Sequence, residues 1–298
     1  MTSSPTTHPT PRGRMTTPRL ITLALLLTLG AAAGLAGCST LDEKQRAWIF
    51  QPSRSTWGGA IASADGMDEV WIEHRAADGS AVRLNGLWLD QPQAAAPVLL
   101  YLHGARWNVR SSAARMRRLH SLGFAVLGID YRGFGASTDT LPSEAMAVED
   151  ARAAWDWLAR THPDRARYLF GHSLGGAIAV DLAAQVRDEA GVIVEGTFTS
   201  IPDVVATMPW GWLPVSPLIT QRFASVDKVA EVGSPLLVVH GSADRLIPPR
   251  LGRALYDQAR EPKRFVLVEG GSHHNTNAVG LDAYRQAVGE LFGLKAPG

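Results

Sequence analysis

From Val98 onward, short continuous apolar runs alternate with longer stretches of helical period, and this alternation constrains the fold more than any other feature of the chain. A run such as Val98–Leu99–Leu100–Tyr101–Leu102 has no polar face, so a strand built from it must be covered on both sides. Runs of strand length occur at Glu69–His74, Ala81–Leu89, Val98–Leu102, Phe124–Ile129, Arg167–Phe170, Val192–Val194, Leu236–Val239 and Phe265–Val268. Between them lie the helix-like stretches Ser111–Ser121, Ser143–Arg160, Leu174–Val186, Arg250–Ala259 and Ala278–Phe292. The first two runs have no helix between them and are expected to pair as an antiparallel hairpin. The β-α-β-α order that follows predicts an α/β domain over 68–298, with a mostly parallel eight-stranded sheet flanked by helices. Only 197–231 breaks the rhythm. Pro202, Pro209, Pro214 and Pro217 stand there beside Trp210 and Trp212, too apolar for a solvated linker and too broken for a long helix. This segment reads as a short lid over the carboxyl edge of the sheet.

The first forty residues differ in kind. Residues 1–41 contain no acid; Arg12, Arg14 and Arg19 precede the apolar run Leu20–Ala36, which ends in small residues. A basic start, an apolar middle and a small-residue end make an export signal over 1–37, whether translation begins at Met1 or Met15. As a membrane-spanning anchor, the same run is at the short end of what a bilayer needs. Leu35–Ala36–Gly37–Cys38 resembles the lipobox of bacterial lipoproteins, and Cys38 is the chain's only cysteine. The resemblance implies acylation of Cys38, a lipid anchor and a place in the cell envelope. Ser39 is not the aspartate associated with inner-membrane retention, which favours the outer membrane in a Gram-negative host. Residues 38–67, polar with isolated Trp48 and Trp57, are expected to be a tether. A lone cysteine excludes an internal disulfide. Removing 1–37 takes away three arginines and no acids, leaving 26 basic against 28 acidic residues. That balance offers no basic face for nucleic acid.

Gly171–His172–Ser173–Leu174–Gly175 fits Gly-x-Ser-x-Gly between a predicted strand and a predicted helix. Such a turn presents its serine exposed at the positive end of the helix, so Ser173 is the candidate nucleophile. A serine is inert without a base, and the base needs an orienting carboxylate. Asp244 lies in the polar turn His240–Gly241–Ser242–Ala243–Asp244 after one later strand, and His273 and His274 follow the last strand. Distance from that strand favours His273 as base, with His274 the alternative. Asp130 precedes Ser173 and reads as a turn-stabilising aspartate. Adjacent histidines on one loop seldom ligate together, so a metal site is not expected, and no nucleotide-binding glycine loop is present.

His-Gly-Ala (103–105), Asp-Tyr-Arg-Gly-Phe-Gly-x-Ser (130–137), Gly-His-Ser-Leu-Gly-Gly (171–176), Glu-Gly-Thr-Phe-Thr-Ser (195–200), His-Gly-Ser-Ala-Asp-Arg-Leu-Ile-Pro (240–248) and Gly-Gly-Ser-His (270–273) stand in the order of the α/β-hydrolase superfamily. The chain resembles that superfamily over 68–294. It is most similar to small serine hydrolases with minimal lids, such as protein depalmitoylases and lysophospholipases. The resemblance implies a Ser-His-Asp esterase or thioesterase that needs no cofactor and acts on a small or lipid-like acyl substrate. It also implies an oxyanion hole from the backbone N–H groups of Ala105 and Leu174. Ala105–Arg106–Trp107 departs from the commoner Asn- and Gly-rich oxyanion loop, which bears on substrate preference.

Overall fold

The structure is a computed structural model that describes residue 37, residues 39–56 and residues 64–294. Eight strands form one sheet: β1 (Asp68–Arg75), β2 (Ala81–Leu89), β3 (Val98–Leu102), β4 (Ala125–Ile129), β5 (Arg167–His172), β6 (Glu189–Glu195), β7 (Leu236–Gly241) and β8 (Lys263–Val268). Their spatial order is β1-β2-β4-β3-β5-β6-β7-β8. The β1–β2 and β2–β4 pairs are antiparallel, and every later pair is parallel. The mostly parallel eight-stranded sheet expected from the apolar runs is therefore present.

Both faces are covered. Alternate residues Val98, Leu100 and Leu102 of β3 enter one core, while Leu99 and Tyr101 enter the other. Helices α3 (Glu144–Thr161), α4 (Leu174–Gln185) and α7 (Pro249–Gln258) pack on the first face. Helices α2 (Ala113–His120) and α9 (Leu281–Phe292) pack on the second. The Ser143 side chain caps α3 by accepting from the Met146 N–H at 3.3 Å, and Ala147, Ala151, Ala154, Trp155 and Leu158 form its buried stripe. The predicted last helix is in fact two, α8 (Thr276–Val279) and α9, separated at Gly280.

The segment 197–231 consists of α5 (Ile201–Ala206), α6 (Ser225–Lys228) and single 3-10 turns at Ser216–Leu218 and Val229–Glu231. Phe223 within it is buried, whereas Trp210 is 43% and Trp212 81% exposed. Among the described residues no helix is long and apolar enough to cross a membrane. Leu20–Ala36 and Cys38 lie outside the described residues.

The tether expectation requires correction. Residues 39–50 are the helix α1, and the described residues from 45 onward belong to one compact unit. Phe50 is fully buried, with its ring edge-on to Phe134 and Phe223 at 6.4 and 5.7 Å. The Phe50 carbonyl accepts from the Arg106 N–H at 2.9 Å, and the Ser53 carbonyl from the Gly135 N–H at 3.0 Å. Residues 45–53 thus belong to the folded domain. Burying Phe50 removes enough apolar surface from water to fix this segment against three loops. Truncating Phe50→Ala is expected to cost about 3–5 kcal/mol, measured by urea unfolding of a chain that starts after Cys38. A change below about 1 kcal/mol would show that the segment is dispensable to the fold.

Asp150 of α3 ties the sheet's antiparallel edge to the loop after β4. Its Oδ2 accepts from the Arg132 N–H and its Oδ1 from Arg132 Nε, both at 2.8 Å, and His74 Nε2 of β1 lies 3.2 Å from Oδ1. The hydrogen bond to Asp150 raises the His74 imidazole above its ordinary 6.5, against the opposing effect of burial. The folded protein then holds this proton more tightly than the unfolded chain. The contact contributes fully below about pH 6.5 and is lost as pH rises through the raised value. Thermal unfolding between about pH 6 and pH 8.5 should show a decline in Tm that is shallower in His74→Gln than in the wild type. Parallel slopes would remove His74 as the source.

Candidate active site

The centre of the site is a turn that only glycine can make. β5 passes through Gly171 and His172 into Ser173, and α4 leaves at once. A Cβ on Gly171 would lie 2.2 Å from the Gly175 carbonyl oxygen, and one on Gly175 would lie 2.1 Å from that of Leu102. The backbone of Ser173 is driven to φ 56° and ψ −122°, a conformation rare for a residue with a side chain. It is held there by the Ser173 N–H donating to the Glu195 carbonyl at 2.9 Å and by Thr197 Oγ1 donating to the Ser173 carbonyl at 3.0 Å.

Three separate loops meet at this serine. His273 Nε2 lies 3.0 Å from Ser173 Oγ, and His273 Nδ1 lies 2.8 Å from Asp244 Oδ2. A carboxylate can only accept, so Nδ1 carries the proton and Nε2 turns its lone pair to the serine hydroxyl. His274, the alternative base, is exposed, and its ring stands 84° to that of His273. The structure therefore brings Ser173, Asp244 and His273 together and leaves His274 at the rim.

Asp244 is fixed on both oxygens. Oδ1 accepts from the N–H groups of Leu246 and Ile247, each at 2.9 Å, and Oδ2 faces His273 and, at 3.5 Å, His240 Nε2. Burial alone would raise this carboxyl. The hydrogen bonds from His240 and His273 and the Ile247 N–H outweigh it and hold the group well below the usual carboxylate range. Asp244 is therefore a permanent anion at neutral pH, and it also closes its own turn.

The loop after β3 runs against the nucleophile, since a Cβ on Gly104 would lie 3.0 Å from Ser173 Cβ. His103 is buried, and its Nδ1 donates to the Gly104 carbonyl at 2.6 Å. Asp130 accepts from the Val109 N–H at 2.6 Å, the turn-stabilising role expected of it. Arg106 and Trp107 both have left-handed backbones, φ 69° and 60°, and both side chains are exposed. The Arg106 N–H, one residue beyond Ala105, is committed to the Phe50 carbonyl at 2.9 Å.

Sequence reasoning passed over a second set of buried groups. His172, Glu195 and Arg115 lie behind the catalytic-type trio. Burial first, then the charges of Arg115 and His273, push the His172 imidazole well below its ordinary value, so it is neutral. Its Nε2–H donates to the His273 carbonyl at 2.9 Å. The one available signal was an acid, Glu195, directly after the apolar run Val192–Val194.

Comparison with known proteins agrees with this fold. The profile of the family described as "Serine aminopeptidase, S33" matches residues 93–226. An uncharacterized protein of Mycobacterium tuberculosis (strain H37Rv) is 35% identical over 255 residues, covering 83% of this chain and 88% of that protein. The lysophosphatidylserine lipase ABHD12 of Danio rerio is 31% identical over 214 residues, which cover 65% of this chain and 54% of the lipase. The solved Pyrococcus furiosus esterase Pf2001 superposes with a TM-score of 0.64 at 19% identity, over 81% of this chain and 98% of that one. With the sheet order, the elbow and these relatives in agreement, the chain belongs to the α/β-hydrolase superfamily.

Proposed function

We propose that the protein is a serine hydrolase that cleaves carboxylic ester or thioester bonds through an acyl-enzyme, without a cofactor. The observation that carries this reading is the 3.0 Å contact of His273 Nε2 with Ser173 Oγ, completed by the 2.8 Å contact of Nδ1 with Asp244. In the first step Ser173 Oγ attacks the acyl carbon while His273 Nε2 takes the hydroxyl proton. Asp244 stabilises the imidazolium, and the N–H groups of Ala105 and Leu174 stabilise the oxyanion. Collapse expels the alcohol or thiol, which receives the proton from His273. Water, deprotonated by the same nitrogen, then attacks the acyl carbon and regenerates Ser173.

A lipid-like acyl substrate is favoured by the exposed Trp210, Trp212, Leu213 and Leu218 on the segment that follows β6 at the same sheet edge. The lysophosphatidylserine lipase relative supports the same class. The aminopeptidase family profile supports a second reading, amide cleavage by the same trio. Acylation of Cys38 would anchor the protein in the cell envelope, since two or more acyl chains hold stably where one does not.

A fluorophosphonate probe should label the wild type and leave Ser173→Ala unlabelled. His273→Ala should slow labelling by about 10⁴-fold or more, and His274→Ala should leave it intact. Strong labelling of His273→Ala with loss in His274→Ala would reverse the assignment of the base. Chromogenic esters, thioesters and amides of graded chain length then separate the two readings. For the anchor, cells fed an alkyne-tagged palmitate should tag the wild type and not Cys38→Ser; equal tagging of both would exclude acylation at this residue.

A further inference from the structure

The contact between Ser173 and His273 depends on two loops that leave strands far apart in the sheet. The elbow follows β5, the histidine loop follows β8, and two strands lie between them. In the histidine loop, Gly270–Gly271–Ser272–His273–His274–Asn275, the local hydrogen bonds fall on Gly270, Gly271, Ser272 and Asn275, on either side of the two histidine peptides. Reactive geometry tolerates errors of only about 0.5 Å, so something outside the loop has to hold it.

Two consecutive carbonyls of that loop are held, each from a different element. His172 Nε2, the residue before the nucleophile, donates to the His273 carbonyl at 2.9 Å. Arg115 Nη2, from α2, donates to the His274 carbonyl at 3.2 Å. The same guanidinium donates through Nε to Glu195 Oε1 at 3.0 Å, and the Tyr284 hydroxyl of α9 donates to Glu195 Oε2. Glu195 is wholly buried, and its own carbonyl accepts from the Ser173 N–H at 2.9 Å. Glu195 is therefore bonded to the nucleophile's backbone at one end and, through Arg115, to the carbonyl of His274, the residue after the base, at the other.

We propose that His172, Arg115 and Glu195 are positioning residues that keep the histidine loop in register with the nucleophile elbow. They act through the backbone of the histidine loop, and the His172 ring also packs beside that of His273, centroids 4.9 Å apart. The inference rests on the serine-hydrolase reading of the same site. A neutral His172 suits the role, because it donates one fixed proton to a carbonyl and adds no charge beside the base. Arg115 cannot be replaced by lysine without loss, since a single ammonium lacks the planar fork that reaches Glu195 and the His274 carbonyl together. A buried ion pair that merely supports the fold would affect stability and leave the turnover of folded molecules alone.

The test is steady-state hydrolysis of a short p-nitrophenyl ester by the full domain, with active sites counted by fluorophosphonate titration and Tm recorded in parallel. His172→Ala and Arg115→Lys should lower kcat by about 10- to 100-fold, with KM within about two-fold of wild type. His172→Gln, whose amide N–H has similar reach, should recover most of the loss. Fluorophosphonate labelling should slow in step with kcat. Unchanged kcat per titrated site in Arg115→Lys and His172→Gln, and in His172→Ala where it folds, with only Tm lowered, overturns the proposal. So does an equal loss in His172→Gln and His172→Ala. A wild type that neither turns over nor labels would instead sink the serine-hydrolase reading, so the two failures are distinguishable.

Discussion

The approach of α4 to the carboxyl end of β3 governs the site and much of the sheet around it. The Gly175 backbone sits so close to the Leu102 carbonyl that no side chain fits between them. That contact lets the helix begin at the residue after Ser173, and it forces the serine into a strained backbone. Strain of this kind costs about 1–3 kcal/mol. It is offset by the two hydrogen bonds on the Ser173 peptide groups and by nine buried residues of α4 packed on the sheet. Parallel strands then do the rest. The carboxyl ends of β5, β6, β7 and β8 face one edge, so the loops after them converge without long connections.

The electrostatics of that edge are arranged in depth. Asp244 is partly dehydrated yet remains an anion because every face of its carboxylate meets a donor. His240, adjacent to it, is fully buried, and its Nε2 is shared between the Ile247 carbonyl and the carboxylate. Beside them, the wholly buried Glu195 and the largely buried Arg115 compensate each other. Burial opposes the Arg115 charge, and Glu195 more than restores it. The buried carboxylates Asp244 and Glu195 thus each have partners at hydrogen-bond distance, the condition under which buried charge is tolerated.

What could be read in advance follows from the range of each signal. The strands β3, β4, β5 and β7 are continuous apolar runs, and the elbow is a local pattern of five residues, so both were legible along the chain. The start of β6 was not, because Glu189, Ala190 and Gly191 have neither the charge pattern nor the branching of a strand. The adjacent histidines gave two spacings that both fitted; only the meeting of loops from β5 and β8 separates them. Segment 45–53 was misread because its one short apolar run, Ala47–Phe50, is bracketed by polar residues, while the decisive residue, Phe50, buries itself against Phe134 and Phe223, which lie 84 and 173 positions away. Arg115 escaped notice for the same reason, since its partners are 80 and 159 positions distant.

Residues 45–53 make this domain's entry point mechanically unusual. The first turn of chain to join the compact unit does not run into a sheet edge, where load would spread along a ladder of hydrogen bonds. It ends on the Arg106 amide, one peptide from Ala105, and on the Gly135 amide, with the Gln45 side chain bonded to the Leu218 carbonyl and the Thr220 N–H. Tension on the chain upstream of Gln45 would reach the oxyanion loop and the segment after β6 before it reached any strand. Any such pull would bear on the rim of the site first, with the sheet and its elbow mechanically sheltered.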